Sequence, residues 1–356
     1  MTTQNLYVDI NVLQTVPSSN INRDDTGAPK TAIYGGVTRS RVSSQSWKKA
    51  VRDYFKDAHV VASSRTLDVP KLLANALMAT DSSLDEDAAI KKSIEVLKLG
   101  GVKNFKDNRT KALLFVSQGQ IEKLASYAVN NDKLDAKEIK KVLKGNQSLD
   151  LALFGRMVAD EPELNVEGSV QVAHAISTHE IIPEFDYFTA SDDENKTTSG
   201  AAMLGSSEYN SATLYRYANV NLNELVHNIG ESDAINGAMT FIKQFILTMP
   251  TGKQNSYANK TVPNYVMVTI RPDTPVNLVS AFENPVKSHN GYVEESISRL
   301  EAEYQRTAKF VESPILTTVL GNDDTTIGDK MTNLSDLLNE VTERLTKAVQ
   351  DENTDD

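Results

Sequence analysis

Between residues 26 and 52 the chain carries six basic side chains, Lys30, Arg39, Arg41, Lys48, Lys49 and Arg52, and no carboxylate. Cations not already paired with acids neutralise phosphates and release the counterions condensed on a nucleic-acid backbone. The run Arg39-Ser40-Arg41-Val42-Ser43-Ser44-Gln45-Ser46-Trp47-Lys48-Lys49 adds hydroxyls and amides of the kind that hold such a backbone in register. The serines also mark a helix start, where N–H groups carry partial positive charge. The chemistry indicated is an electrostatic grip on phosphates. The plain alternative is a solvated basic face without a ligand. Six bases in 27 residues of a chain whose net charge is −11 favour the grip, because the local field follows local charge.

Other chemistry is poorly supported. Asp24-Asp25 and Asp192-Asp193 are adjacent carboxylates that could hold a divalent metal for phosphodiester cleavage. Such pairs also cap turns, and a nuclease needs a third acid or a base beside them. His174 and His179 lie five apart across a predicted strand, which puts them on opposite faces and argues against a shared metal. The absence of cysteine excludes disulfides, thiolate metal sites and cysteine nucleophiles. No phosphate-binding loop, dinucleotide fingerprint or nucleophile elbow is present. Thr251-Gly252-Lys253-Gln254 is a Gly-Lys turn that offers at most a weak phosphate contact. No catalytic residue, metal or cofactor is assigned. A first segment without the basic-then-apolar pattern of a leader, and no apolar run near the ~18 residues of a membrane span, lead to the expectation of a cytoplasmic protein without a membrane partner.

The elements that must position the basic run follow from periodicity. Leu6, Val8, Ile10 and Val12 alternate with Tyr7, Asp9 and Asn11, the pattern of a half-buried strand. Residues 18–38 read as a long loop ending near Gly35-Gly36. A helix then begins at Ser43, Ser44 or Ser46. Trp47, Val51, Tyr54 and Phe55 share one face, and Gln45, Lys48 and Arg52 share a neighbouring one with Lys49 near it. Residues 69–153 are expected to be helical, with helices at 88–99, 111–129 and 136–143. Strands are expected at 169–178, 212–220 and 265–270, and a helix at 232–249. The order strand, helix, strand, strand, helix, strand is that of ferredoxin-like RNA-recognition folds. A polar insertion occupies residues 191–211, and a C-terminal amphipathic helix at 334–349 precedes a charged tail. From 321 to 356 there are ten acids and three bases. The Lys/Arg-Gly-Phe-like aromatic motif of ordinary RNA-recognition sheets is missing, so binding would grip the backbone more than read the bases.

Several runs resemble the CasC family, the backbone subunit of the type I-E CRISPR surveillance complex called Cascade. They are Ile21-Asn22-Arg23-Asp24-Asp25; Tyr34-Gly35-Gly36 leading into Arg41-Val42-Ser43-Ser44-Gln45-Ser46; Ala152-Leu153-Phe154-Gly155-Arg156-Met157; Ala173-His174-Ala175-Ile176-Ser177-Thr178-His179; Phe188-Thr189-Ala190; and Leu214-Tyr215-Arg216-Tyr217-Ala218-Asn219. They occur in order from about residue 6 to about residue 271.

The resemblance implies an α+β fold shaped like a hand: a modified RRM/ferredoxin-like palm with a helical fingers insertion and a thumb insertion. The palm would take residues 1–60, 166–190 and 212–280, the fingers 61–165 and the thumb 191–211. Residues 281–356 would form a C-terminal helical segment with an acidic tail. It also implies a non-catalytic subunit that binds CRISPR RNA and lines up with copies of itself and other Cascade subunits. The thumb would kink the guide for pairing with complementary target DNA, and cleavage would fall to a separate nuclease. Carried over by position, Arg23, Lys30, Arg41, Ser43, Gln45, Lys48, Lys49 and Arg52 would contact the guide backbone. Arg156 and Met157 would lie near the bases at the kink, with Met157 as an apolar wedge. Met203 and Leu204 would pack at the interrupted base pair, and Tyr187 and Phe188 would sit at the base of the thumb. Val37 and Thr38 stand where the family carries cations, and Met203 where a relative carries a polar residue. Related backbone subunits of other CRISPR types cut RNA with a loop aspartate, which keeps a metal-dependent ribonuclease built on the aspartate pairs as the rival reading.

Overall fold

The computed structural model describes residues 5–57, 63–158, 161–189 and 204–354. Contacts divide the chain into a sheet unit (residues 1–51, 172–219 and 239–356) and a second unit (52–171 and 220–238).

In chain order, β1 (Tyr7–Ser19) is followed by β2 (Thr31–Tyr34), β3 (Val37–Val42) and α1 (Ser44–Asp57). The second unit contributes β4 (Ser63–Thr66), α2 (Val69–Thr80), α3 (Glu86–Leu99), β5 (Phe105–Lys106), β6 (Arg109–Thr110) and β7 (Leu114–Ser117). It continues with α4 (Gln118–Asn130), α5 (Ala136–Lys144) and α6 (Leu149–Phe154). Then come β8 (Val170–Val172), β9 (Ala175–Ser177), β10 (Glu184–Thr189), β11 (Leu204–Asn221), α7 (Leu222–Ile229), α8 (Glu231–Leu247) and α9 (Gln254–Tyr257). The chain ends with β12 (Tyr265–Arg271), α10 (Val293–Thr307), β13 (Leu316–Leu320), β14 (Asp329–Lys330) and α11 (Leu334–Thr354).

The large sheet runs β14-β13-β12-β1-β11-β9-β3-β2, with β10 and β8 paired to β11 off this path. Its inner four strands, β12-β1-β11-β9, are the fourth, first, third and second of the β-α-β-β-α-β series. That spatial order is ferredoxin-like, as the element order predicted. The protein is thus α+β. The C-terminal region adds something its sequence pattern does not show: β13 extends the sheet antiparallel to β12, so residues beyond 281 are not helical alone.

Three other expectations change. The loop expected over residues 18–38 contains the antiparallel hairpin β2–β3, turned by Gly35 and Gly36 at φ 61° and 81°. Two successive positive φ values are what a two-residue hairpin turn requires, and glycine supplies them at least cost. A Cβ on Gly35 would also lie 1.7 Å from the Glu283 carbonyl oxygen, so the turn sits directly on that backbone. The helix expected at 111–129 begins only at Gln118, because Ser117 and Gln120 form a reciprocal capping box and β7 occupies the preceding residues. β7 pairs with β4. The expected strand at 169–178 is split into β8 and β9.

Strand β1 is buried on both faces rather than one. Val8, Ile10 and Val12 are inaccessible, yet Asp9, Asn11 and Gln14 are buried too. Their polar groups are matched inside: the Tyr215 hydroxyl donates to Asn11 Oδ1 (2.8 Å) and the Tyr217 hydroxyl to Asp9 Oδ1 (2.7 Å). Asp9 Oδ2 accepts from Arg271 Nε and from the Val276 N–H, each at 2.9 Å. The second unit has its own apolar core, including Val69, Leu73, Leu77, Val96, Leu124 and Leu143.

Burial pushes the Asp9 carboxyl up to about 6, against the opposing pull of its hydrogen bonds from Tyr217 and Val276 and of the Arg271 charge. A carboxyl whose pKa rises on folding favours the folded state in its protonated form. Its contribution therefore declines as pH rises from about 4, the unfolded value, to about 6. Thermal melting of the wild type and of Asp9→Asn at pH 4 and pH 7 checks this. The wild-type Tm, taken relative to that of the variant, should fall between the two pH values; a rise would contradict it.

Candidate nucleic-acid interface

The basic run starts from a loop held by side chains. The Asn20 amide donates to the Gly27 and Glu208 carbonyls, both at 2.9 Å. Asp24 Oδ1 accepts from the Thr26 N–H (2.9 Å), the Thr26 hydroxyl (2.7 Å) and the Ala28 N–H (3.0 Å). These bonds, that of the Thr26 hydroxyl foremost, hold its carboxyl below the usual carboxylate range. Asp24 is thus a turn-forming residue, and Arg23 beside it is exposed. Asp192-Asp193 lie outside the described residues. Among the described residues, no cluster of three or more histidine or acidic side chains is arranged to hold a metal ion.

At the foot of the β2–β3 hairpin the backbone joins Lys30 to Arg41. The Arg41 N–H donates to the Lys30 carbonyl at 2.9 Å, and the Lys30 N–H donates to the Asn22 carbonyl at 2.8 Å. The Arg41 guanidinium bonds the Thr31 carbonyl (2.9 Å) and reaches His174 Nδ1 (3.1 Å). Burial, and then the charges of Arg41 and Lys30, hold the His174 ring below the usual histidine range. A guanidinium can only donate, so His174 Nδ1 accepts from Arg41, a role its place in the sequence does not suggest. Ser43 caps α1: its hydroxyl accepts from the Ser46 N–H at 3.4 Å, and its own N–H donates to Asn22 Oδ1 at 2.8 Å. On the first turns of α1, Gln45 and Lys49 are exposed and Lys48 is half-buried. Burial lowers the Lys48 ammonium pKa. Trp47, Val51 and Phe55 are buried as the helical pattern predicts, but Tyr54 is 40% exposed and does not share their environment.

Two of the six bases are committed elsewhere. Arg39 is wholly buried and donates to the carbonyls of Tyr34, Ser177, Phe282 and Glu283. Arg52 meets Asp150, with Nε 3.3 Å from Oδ2, and its guanidinium lies 4.5 Å from the Phe115 ring centre. The basic run is acid-free in sequence, but the fold supplies Asp150 from far along the chain, so the premise of an unopposed Arg52 is corrected. Of the other four, Lys49 is exposed and Lys30, Arg41 and Lys48 are half-buried, and the exposed Arg23 lies beside the run.

Arg156 also differs from expectation. Only 5% exposed, it donates to the carbonyls of Leu164 (2.9 Å), Phe115 (3.1 Å) and Leu143 (2.7 Å) and to Gln120 Oε1 (3.3 Å). Burial lowers its pKa to about 10. Its guanidinium is a tie within the second unit, not a group presented to bases. Its neighbour Met157 is 83% exposed. Met157 borders a cavity of about 340 Å³ that Leu113, Leu114, Val102 and Val158 also line.

The expected thumb base is a hairpin of β10 and β11. Thr189 pairs with Leu204, Phe188 with Gly205, and Tyr187 with Ser206. Alternation sets Phe185, Tyr187 and Leu204 on one face, and all three are exposed. Phe188 is on the other face. A Cβ on Gly205 would come 2.4 Å from the Phe188 ring, so that ring lies across the glycine. Phe185 was missed, though its alternation with Tyr187 was visible. Met203 lies outside the described residues, and Leu204 opens an 18-residue strand rather than ending a loop.

The sequence matches the CT1975-like protein family over residues 8–344. The chain belongs to this family. Its structure is similar to a solved chain described as "CRISPR RNA-guided surveillance complex, pre-nicking", with TM-score 0.85 and 32% identity over 95% of this chain and 99% of that one. A second similar chain, from a "CRISPR RNA-guided surveillance complex", gives TM-score 0.75 and 29% identity over the same shares. No curated protein sequence matches. The CasC resemblance carried by the ordered motifs is borne out at family level, as is the α+β fold of this CT1975-like protein.

The contrast between Arg156 and Met157 is measurable. Arg156→Gln strands several buried carbonyls and should destabilise the protein by about 2–4 kcal/mol. Met157→Ala, at an exposed position, should stay within about 0.5 kcal/mol of wild type. Chemical denaturation of the two variants reads both. Equal destabilisation would show that Arg156 is not the tie described.

Proposed function

We propose that this CT1975-like protein is a non-catalytic, RNA-gripping backbone subunit of a CRISPR RNA-guided surveillance complex of the type I-E Cascade kind. Copies line up along the spacer part of the guide, and the β10–β11 hairpin serves as the thumb that kinks it. Complementary target DNA pairs with the segments left exposed. The protein acts in the cytoplasm alongside the other subunits of the complex.

The observation that carries this reading is the end-to-end correspondence with a chain of a CRISPR RNA-guided surveillance complex, at TM-score 0.85 over 95% of this chain and 99% of that one. The surface supports it. Lys30 and Arg41 are backbone neighbours at the hairpin foot, and Lys48 and Lys49 lie on the first turns of α1 behind its serine cap. Such a set binds a phosphate backbone without reading sequence. Phe185, Tyr187 and Leu204 give the hairpin an exposed apolar face suited to stacking on bases. Asp24, one of the two described aspartates of the ribonuclease alternative, spends one carboxylate oxygen on its own turn.

Purification of the co-expressed complex followed by sequencing of bound RNA is the direct test, and a complex free of RNA would overturn the proposal. Replacing Lys48 with Ala should weaken guide binding about equally for all spacer sequences. The slope of log affinity against log salt should shrink by about 0.7 for the one single-strand phosphate no longer neutralised. A weakening confined to particular sequences would contradict a backbone grip. Incubation with complementary RNA and Mg²⁺ should leave that RNA intact; cleavage abolished by Asp24→Ala would reinstate the nuclease.

A further inference from the structure

The run Leu214-Tyr215-Arg216-Tyr217-Ala218-Asn219 lies in β11, a strand next to β1. Its two tyrosines serve one face, donating to Asn11 and Asp9. Arg216 and Leu214 point to the other, where Leu214 packs in a cluster with Trp47, Val16, Val42 and Met249. A guanidinium on this apolar side is costly to bury. Arg216 is 1% exposed, and among the described residues no carboxylate stands within ion-pair distance of it.

Its charge is met in another way. Nη2 donates to the Phe245 carbonyl, and Nη1 donates to Gln14 Oε1 at 2.5 Å and to the Ile246 carbonyl at 3.5 Å. Phe245 and Ile246 lie in the last turn of α8, where carbonyls have no partner within the helix and the helix dipole is negative. Arg216 thus caps α8 from the side. Its flat face then lies 3.9 Å from the ring centre of Trp47 and 4.7 Å from that of Phe245.

Trp47 is held by this stacking and by its apolar cluster, since its buried indole N–H meets no acceptor. It immediately precedes Lys48 and Lys49 on α1. Successive helical residues are rotated by about 100°, so the direction of the Trp47 ring fixes the directions of the two lysines.

We propose that Arg216 is a positioning residue for RNA binding: anchored on the C-terminal carbonyls of α8, it presses its planar face on Trp47 and fixes the rotation of α1 that aims Lys48 and Lys49 at a phosphate backbone. This rests on the RNA-gripping function proposed above. A lysine at 216 would keep a charge near the carbonyls but lacks the plane that stacks on the indole.

The chain has one tryptophan, so its intrinsic fluorescence reports on this stack directly. The experiment compares the full-length wild type, Arg216→Lys, Lys48→Ala and the double variant. It reads Trp47 emission and binding to a fluorescein-labelled single-stranded RNA across a salt series. Arg216→Lys should shift the emission and weaken RNA binding several-fold. Its salt slope should fall by about 0.7 for each phosphate no longer neutralised. Because Arg216 acts through the lysines, the double variant should be weakened by less than the product of the two single effects. Unchanged RNA binding alongside shifted emission, or single effects that simply multiply, would overturn the positioning role while leaving the RNA grip intact. A wild type that binds no RNA overturns both readings. Should Arg216→Lys fail to fold, Trp47→Phe, which retains an aromatic ring, replaces it in the same cycle with the same binding criterion.

Discussion

Burying a guanidinium without a carboxylate is the constraint on which much of this structure turns. Arg39, Arg156 and Arg216 are each buried, and none has an acid within ion-pair distance among the described residues. Each gathers backbone carbonyls instead: Arg39 from Tyr34, Ser177 and Phe282, Arg156 from Leu164, Phe115 and Leu143, Arg216 from Phe245 and Ile246. A planar group with five donors can tie together segments distant in sequence, which a point-charge ammonium cannot do in the same geometry. Such a charge is tolerated inside only while every partner stays in place, so these arginines specify backbone positions rather than merely adding attraction.

The consequence for function is a division of labour among bases. Arg39 and Arg52, which look like phosphate ligands in the sequence, are spent on architecture, while Lys30 and Arg41 sit on a hairpin held by Arg39 and Lys48 and Lys49 on a helix faced by Arg216. Arg39 fastens the hairpin that carries Lys30 and Arg41 at its foot, and the Gly35 turn seats on Glu283 beside it. Arg216 faces the helix that carries Lys48 and Lys49. Asp9 and Arg271 show the contrasting solution, a buried pair in which acid and base sit together at the centre of the sheet.

Periodicity made β1, α8, β12 and α11 legible, because each is long enough for its apolar pattern to repeat. It failed where elements are short. β2 is four residues with Ile33 exposed, and the apolar run Leu114-Phe115-Val116 suits a helix or a strand equally until Ser117 and Gln120 cap α4. β13, with two threonines among five residues, gives no clear alternation. The candidate site was legible as a count of charges but not as an account of partners. Asp150 meets Arg52 across 98 residues of sequence, and carbonyls, which every residue carries, leave no mark in composition. The ordered motifs pointed to the right family even though Arg39, Arg156 and Arg216 within or beside them hold the fold together.

The sheet's two borders have a further consequence. One ends at β14, two residues long, and the other at β2, four residues long with its tip folded onto Glu283. A strand edge needs length to template another chain, and these offer almost none. These two borders therefore give another chain little backbone to extend, whereas six-residue β10, paired to β11 off the main path, is exposed along its length. In the array proposed above, these two borders would leave the spacing of copies to side chains and to the guide, and the ruler would be the nucleic acid itself.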